Sequence, residues 1–542
     1  MSRVVLSLAL LVLAAAPLRA QHEGHGAGAG PAATGLGEID FPTSASPAAH
    51  PAFERGVLYL HNFHYPQAAE AFREAQRLDP GDVMSFWGEA MTYTHPVWNQ
   101  QDTAQARAAL RRLAPTSQAR LALARTERER MYLQTVEALY GDGSKAARDT
   151  AFSQAMERLH ARFPDDVEAA SFYALSLLGL NQGQRETVAY ARAADVSEPL
   201  FRAHPWHPGA AHYLIHAVDA PEHAVRGLDA ARAYEAMAPQ AAHAQHMTSH
   251  IYIAVGDWDN VVRTNVVAQS LPPEGAGPIR WAHYTQWLIY GLLQQGRNGE
   301  ARVWLDSIDA QLARIPAGAP ANAGARGFLV PPAAWYVVDG AEWNSPFARM
   351  RVDTARLGGS ASPQEFAVGY AALRRGDLAL ADSMIARLAA REWQPENRNN
   401  YTFADRGYTR VMEGTLRALR LHAAGDADSA VALLRAAAEL EASLPMAFGP
   451  PVTVKPPREV LGELLLELGR PAEAATELEQ ALARTPGRAS VLLALARAHR
   501  AQGHRDAAMR RYAELATAWQ HASADSPAVA EVRAGAEGRW ER

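Results

Sequence analysis

His212 and His216 form a His-x-x-x-His pair, and a second such pair, His246 and His250, follows 34 residues later. Residues four apart share one face of a helix, so each pair sets two imidazoles side by side. If 34 residues make one helix-turn-helix unit, the pairs occupy equivalent places on successive units. Packed helices about 8–10 Å apart then let side chains from both reach a common point. Asp219 and His243 fall on the same two stripes. Imidazole nitrogen and carboxylate oxygen are ligands for zinc, copper or iron, with nitrogen held at about 2.0–2.1 Å. The candidate metal ligands are therefore His212, His216, Asp219, His243, His246 and His250. The same groups could instead hydrogen-bond one another or a bound peptide, which needs no metal.

The elements that must position these residues show in the spacing of small and aromatic side chains. Gly56, Tyr59, Ala68, Phe72, Ala75 and Pro80 fall at positions 8, 11, 20, 24, 27 and 32 of a 34-residue frame begun at Ala49, the tetratricopeptide signature. The pattern returns near the C-terminus through Gly462, Leu465, Gly469, Ala474, Leu478, Ala481 and Pro486. It predicts an all-α, right-handed solenoid of roughly ten helical hairpins, several of them degenerate. With His212 and His246 at position 5, His216 and His250 take position 9, His243 position 2 and Asp219 position 12, which are first-helix positions on the concave face. His61 and His95 take position 13 of the first two units, and His283, Gln286 and Tyr290 take positions 2, 5 and 9 of the unit after His250. With Trp98 after His95-Pro96, these residues make up an expected ligand-binding groove. Asp257 and Asp259, in Gly-Asp-Trp-Asp, suit an inter-helix turn in which aspartate caps the next helix.

Composition bounds the rest. Arg3, the mainly apolar run Val4–Ala16 and the small residues up to Ala20 read as a secretory signal over 1–20. No later stretch reaches about 18 uninterrupted apolar residues, so no membrane span is expected in the mature chain, and a periplasmic or extracellular location is. The absence of cysteine excludes disulfides, thiolate zinc sites and c-type haem attachment. Lys and Arg number 53 against 58 Asp and Glu, net −5, without the basic excess of a nucleic-acid binder. Residues 21–50, rich in Gly, Ala and Pro, read as a flexible arm. The remainder divides into an N-terminal solenoid over 51–314, a Pro/Gly/Ala-rich loop or hinge over 315–332 and a C-terminal solenoid over 333–542. The sequence holds no His-Glu-x-x-His, no Gly-x-Ser-x-Gly and no phosphate-binding glycine loop.

Several segments together resemble a family of exported bacterial tetratricopeptide proteins. They are Phe-Pro-Thr-Ser at 41–44, the stretches Phe53–His61 and Phe86–Trp98, His207-Pro-Gly-Ala-Ala-His-Tyr-Leu-Ile-His216, His243–His250, Phe448–Pro457 and Leu461–Arg470. Where the family often has Ser-Phe-Trp-Tyr, this chain has Asn62-Phe63-His64-Tyr65, so His64 is particular to it. The resemblance implies an α-solenoid and export, and it brings no activity. The leading functional expectation is a protein- or peptide-binding scaffold acting through a histidine-lined concave groove. A metal-binding protein or metal-dependent enzyme built on the histidine cluster is the alternative, and a self-assembling surface or filament subunit is the second.

Overall fold

The steric cause of the 34-residue signature shows in the first hairpin, where the helices His50–His61 and Tyr65–Leu78 touch at Gly56 and Phe72. A Cβ on Gly56 would stand 2.7 Å from the Phe72 ring, so the small residue and the large one require each other. Near the C-terminus the helices Pro457–Glu467 and Pro471–Arg484 repeat the contact, with Gly462 against Leu478. Proline opens the second helix of both hairpins, where its missing N–H has no intrahelical partner to lose.

The computed structural model describes residues 35–181, 187–271, 278–315, 327–351, 361–391, 401–523 and 526–539. The expected leader over 1–20 lies outside them, as does the first part of the expected arm. Among the described residues the chain is all-α apart from one small ribbon, Thr94–His95 paired antiparallel with Gln100–Gln101. No helix there is long and apolar enough to cross a membrane.

Two helices matter most for the site, Pro208–Val218 and Ala242–Val255, each the first of its hairpin. Every residue from 208 to 218 and from 242 to 254 is buried. A helix enclosed on all sides loses the one-faced apolar pattern of a surface helix, and here imidazoles take part of the interior surface. The second helix ends at Gly256, whose φ of +76° suits a left-handed cap. Asp257 then caps the helix Trp258–Ser270 by accepting the Asn260 N–H, as its place in the turn predicts.

Two expectations change at the boundaries. Residues 35–49 of the expected arm are built into the fold, because Phe41 is fully buried among Phe53, Trp87 and Tyr132. Hydrogen bonds fix the same stretch, from Asn62 to the Leu36 carbonyl and from the Ser44 amide to Glu129. The centre of the expected hinge, 316–326, lies outside the described residues, but Gly35–Arg542 is one compact unit. On either side of that stretch, the rings of Tyr290 and Trp335 meet at 5.3 Å.

Within this unit the C-terminal hairpins pack back on the middle of the chain. Trp258 Nε1–H donates to the Gly487 carbonyl at 2.7 Å, Trp519 Nε1–H to the Gln294 carbonyl at 3.0 Å, and the Ala489 amide to Gln294 Oε1 at 3.1 Å. Arg488, fully buried, joins Asp339 and Glu459, each at 2.6 Å. Its two buried anions are what make burial of the guanidinium tolerable.

Candidate functional site

The six candidate metal ligands are all buried, between 0 and 6 % exposed, so they face the interior of the chain rather than an open groove. Hydrogen bonding sorts the histidines of this region into three groups.

The first group is one that the spacing did not assemble: His61, Glu168 and His207. His207 caps the 208–218 helix by accepting the Ala210 N–H at Nδ1. Its proton is therefore on Nε2, which donates to Glu168 Oε1 at 3.1 Å. His61 Nε2–H donates to Glu168 Oε2 at 2.7 Å, and its Nδ1 accepts from the Tyr213 hydroxyl at 2.9 Å. Burial alone would raise the Glu168 carboxyl, but the two histidines hold it well below the ordinary carboxylate range. Every ring nitrogen here has a partner, so the group is a closed hydrogen-bonded network.

The second group is His212, His216 and His243, each offering a ring nitrogen within 4.8 Å of the others. The i, i+4 pair on one helix supplies two of them and the first turn of the next supplies the third. His212 Nδ1–H donates to the backbone carbonyl of His61 at 2.7 Å, which leaves Nε2 as a bare lone pair. That nitrogen is buried and has no hydrogen-bond partner among the described residues. Burial pushes the His212 pKa down to about 3, so the ring is neutral and its lone pair is available at neutral pH. Phe63 roofs the group, its ring centre 4.3 Å from His212, 5.5 Å from His243 and 6.0 Å from His216. It does so with φ at +57°, a conformation a bulky residue rarely adopts. Trp98 lies 5.8 Å from His243 on the solvent side.

The third group is His246, His250, Asp219 and His283. His250 Nδ1 contacts Asp219 Oδ2 at 3.1 Å, and the His250 ring stacks on Trp287 at 4.2 Å. Asn265 gives its amide N–H to the Val261 carbonyl, so its oxygen faces His246 Nδ1 at 2.8 Å. His246 therefore carries its proton on Nδ1, and its Nε2 accepts from His283 Nε2 at 3.1 Å. Burial pushes His246 well below the ordinary histidine value.

The comparisons meet this geometry at the repeat itself. Residues 465–534 match the tetratricopeptide repeat family; they include Leu478, whose contact with Gly462 is the one that Gly56 and Phe72 reproduce at the other end of the chain. The C-terminal stretch is thus built of tetratricopeptide repeats. The chain is also similar to a number of solved structures. To the APC/C hetero-tetramer Cut9–Hcn1 it is 11% identical, over 90% of this chain and 96% of that one, at a TM-score of 0.30. To a human IFIT1 dimer with m7Gppp-AAAA the values are 12%, 88%, 90% and 0.36, and to yeast Tom70 14%, 90%, 96% and 0.28. Among curated protein sequences none matches.

The other predicted groove residues are scattered by the same packing. His61 is not on the concave surface; it is sealed against Glu168 with no exposure. Gln286 donates to the Phe328 carbonyl at 2.6 Å and the Tyr290 hydroxyl accepts from Arg488 at 2.9 Å. Both are buried, because later segments of the chain lie over them. His283 is half-buried on His246, and half-buried His95 stacks on Tyr65 at 3.9 Å. Trp98 alone of the predicted groove set is exposed, at 41 %. His64 is buried with its ring stacked on Tyr59.

Sequence reasoning missed His207, Glu168, Phe63 and Asn265. A signal for His207 was present in His207-Pro208-Gly209: a side-chain cap, a proline suited to the first helical turn, and a glycine where a Cβ would strike the His61 ring.

Proposed function

We propose that this protein is a binding scaffold for a protein or peptide partner, which it engages at the solvent edge of the histidine-bearing helices. Tetratricopeptide arrays provide extended interaction surfaces without catalytic groups, and the fold here is of that class. The observation that carries the reading is a pair of exposed aromatics. Trp98 rests on His243 and Phe448 on His250, with 41 % and 39 % of their respective surfaces open. Their histidine supports are seven residues apart on one helix, about 10 Å, so the two rings mark an apolar strip over a rigid base. Exposed tryptophan and phenylalanine on rigid supports are the kind of anchor that dominates protein interfaces. We propose in addition that the protein acts outside the cytoplasm, on the strength of the signal-like residues 1–20.

The test is site-specific photo-crosslinking in the native host, with the probe at Trp98, at Phe448 and at the exposed control position Val303. The reading expects discrete adducts from the first two positions, absent from the third, and lost from the Phe448 probe when Trp98→Ala is introduced. Equal or absent adducts at all three positions would discard it. A mature N-terminus at Gln21 in the cell envelope or medium supports the proposed location, and an uncleaved cytoplasmic chain refutes it.

A further inference from the structure

We infer that His212, His216 and His243 bind one transition-metal ion of the zinc or copper type, through His212 Nε2 and one ring nitrogen from each of the other two. This is independent of the scaffold reading. It also narrows the six candidate ligands to three, since Asp219, His246 and His250 are engaged elsewhere.

The three groups of buried histidines form an internal comparison. Around Glu168 the ring nitrogens are matched by a carboxylate, a hydroxyl and a backbone amide. At His246 both ring nitrogens are matched as well. At His212 the outer nitrogen is anchored on a backbone carbonyl, while the inner one is buried without a hydrogen-bond partner among the described residues. Buried polar atoms are nearly always satisfied, and a metal ion would satisfy this one. An outer N–H donated to a carbonyl is also how metal-bound histidines are oriented and kept in the right tautomer.

The surroundings suit an ion. Nitrogens bound to one ion at about 2.0–2.1 Å stand about 3.3 Å apart in a tetrahedral set. Nitrogens no more than 4.8 Å apart therefore need only a modest inward movement of rings already facing one another. The ligand set is all imidazole, which favours zinc, copper or nickel over magnesium or calcium. Three protein nitrogens leave a further coordination position, and Phe63 and Trp98 would shield it from bulk water. Phe63 holds its place with a left-handed backbone, and strain of that kind gathers at functional sites.

The test uses the full mature chain, stripped with chelator and titrated with Zn2+ alone and with Cu2+ alone, reading stoichiometry by elemental mass spectrometry and affinity by calorimetry. Uptake near one ion per chain is expected, weakened at least tenfold in His212→Gln, His216→Gln and His243→Gln, and unchanged in His283→Gln outside the set. Absence of saturable uptake by the wild type overturns the proposal, as does uptake that the three substitutions leave intact. Should the variants fail to fold, the visible spectrum of the Co2+-loaded wild type decides. Intense d–d absorption from a four-coordinate nitrogen site supports the assignment, and the weak bands of a six-coordinate ion refute it.

Discussion

The backbone carbonyl of His61 accepts the Nδ1–H of His212 at 2.7 Å, across 151 residues of chain. The His61 ring is itself held by Glu168. The lone-pair direction of a buried histidine in one hairpin is thus set by the end of the first helix, His50–His61, and, behind it, by a buried carboxylate.

Loss of Glu168 should show in stability. Glu168→Gln removes one of two acceptor oxygens and turns an amide N–H toward a histidine N–H, leaving buried donors unmatched at about 1–3 kcal/mol each. A loss of about 2–4 kcal/mol by urea unfolding at pH 7 is expected. Because the folded carboxyl sits below its ordinary value, its contribution is complete above about pH 4.5 and fades as pH falls toward the folded value. The variant should lose that part of the acid dependence.

The buried imidazoles impose a pH dependence of their own. Burial lowers His61, His212 (to about 3) and His246, so below about pH 6.5 the unfolded chain takes up protons that the folded one does not. Stability should fall with pH between about 6.5 and 4, by up to about 1.4 kcal/mol per pH unit for each ring. Urea midpoints at pH 7, 6 and 5 would check it, and a flat profile would show that the rings titrate freely in the folded protein.

Arg488→Ala should cost about 3–5 kcal/mol, since it strands Asp339 and Glu459 as buried, uncompensated anions. Small-angle scattering should also show an expanded particle, because the residue holds the C-terminal hairpins against the middle of the chain. Wild-type stability together with wild-type dimensions would show that the guanidinium is dispensable.

Gly56→Ala and Gly299→Ala should act in opposite directions. At Gly56 the added methyl meets the Phe72 ring at 2.7 Å, and overpacking of this kind costs about 1–3 kcal/mol. Gly299, in the helix Asn298–Leu312, has nothing within 4 Å of the new atom, so alanine there gains up to about 1 kcal/mol of helix propensity. Thermal melts of both variants give the comparison.

The repeat was legible because its cause is local: Gly56 and Phe72, or Gly462 and Leu478, meet within one hairpin, so one 34-residue window contains both partners. The spacing also located the histidine stripes, since the two helices are neighbours in sequence. Their burial was not legible. It depends on which distant segments lie over them, as Phe63 does over His212 and Phe448 over His250. Nothing in the 34-residue frame distinguishes Arg488 from a solvated arginine until Asp339 and Glu459 are seen beside it. The pairing of His61 with Glu168, 107 residues apart, is hidden for the same reason.

Repeat arrays ordinarily lengthen or shorten by whole units, because each unit answers only to its neighbours. Here Gly256, whose Cβ would press on the Pro486 carbonyl, and Gln294, which binds both Ala489 and Trp519, tie two distant stretches in fixed register. Duplicating or deleting a hairpin between them would carry those partners out of reach. Over that span the number of units is as constrained as the strand count of a closed barrel.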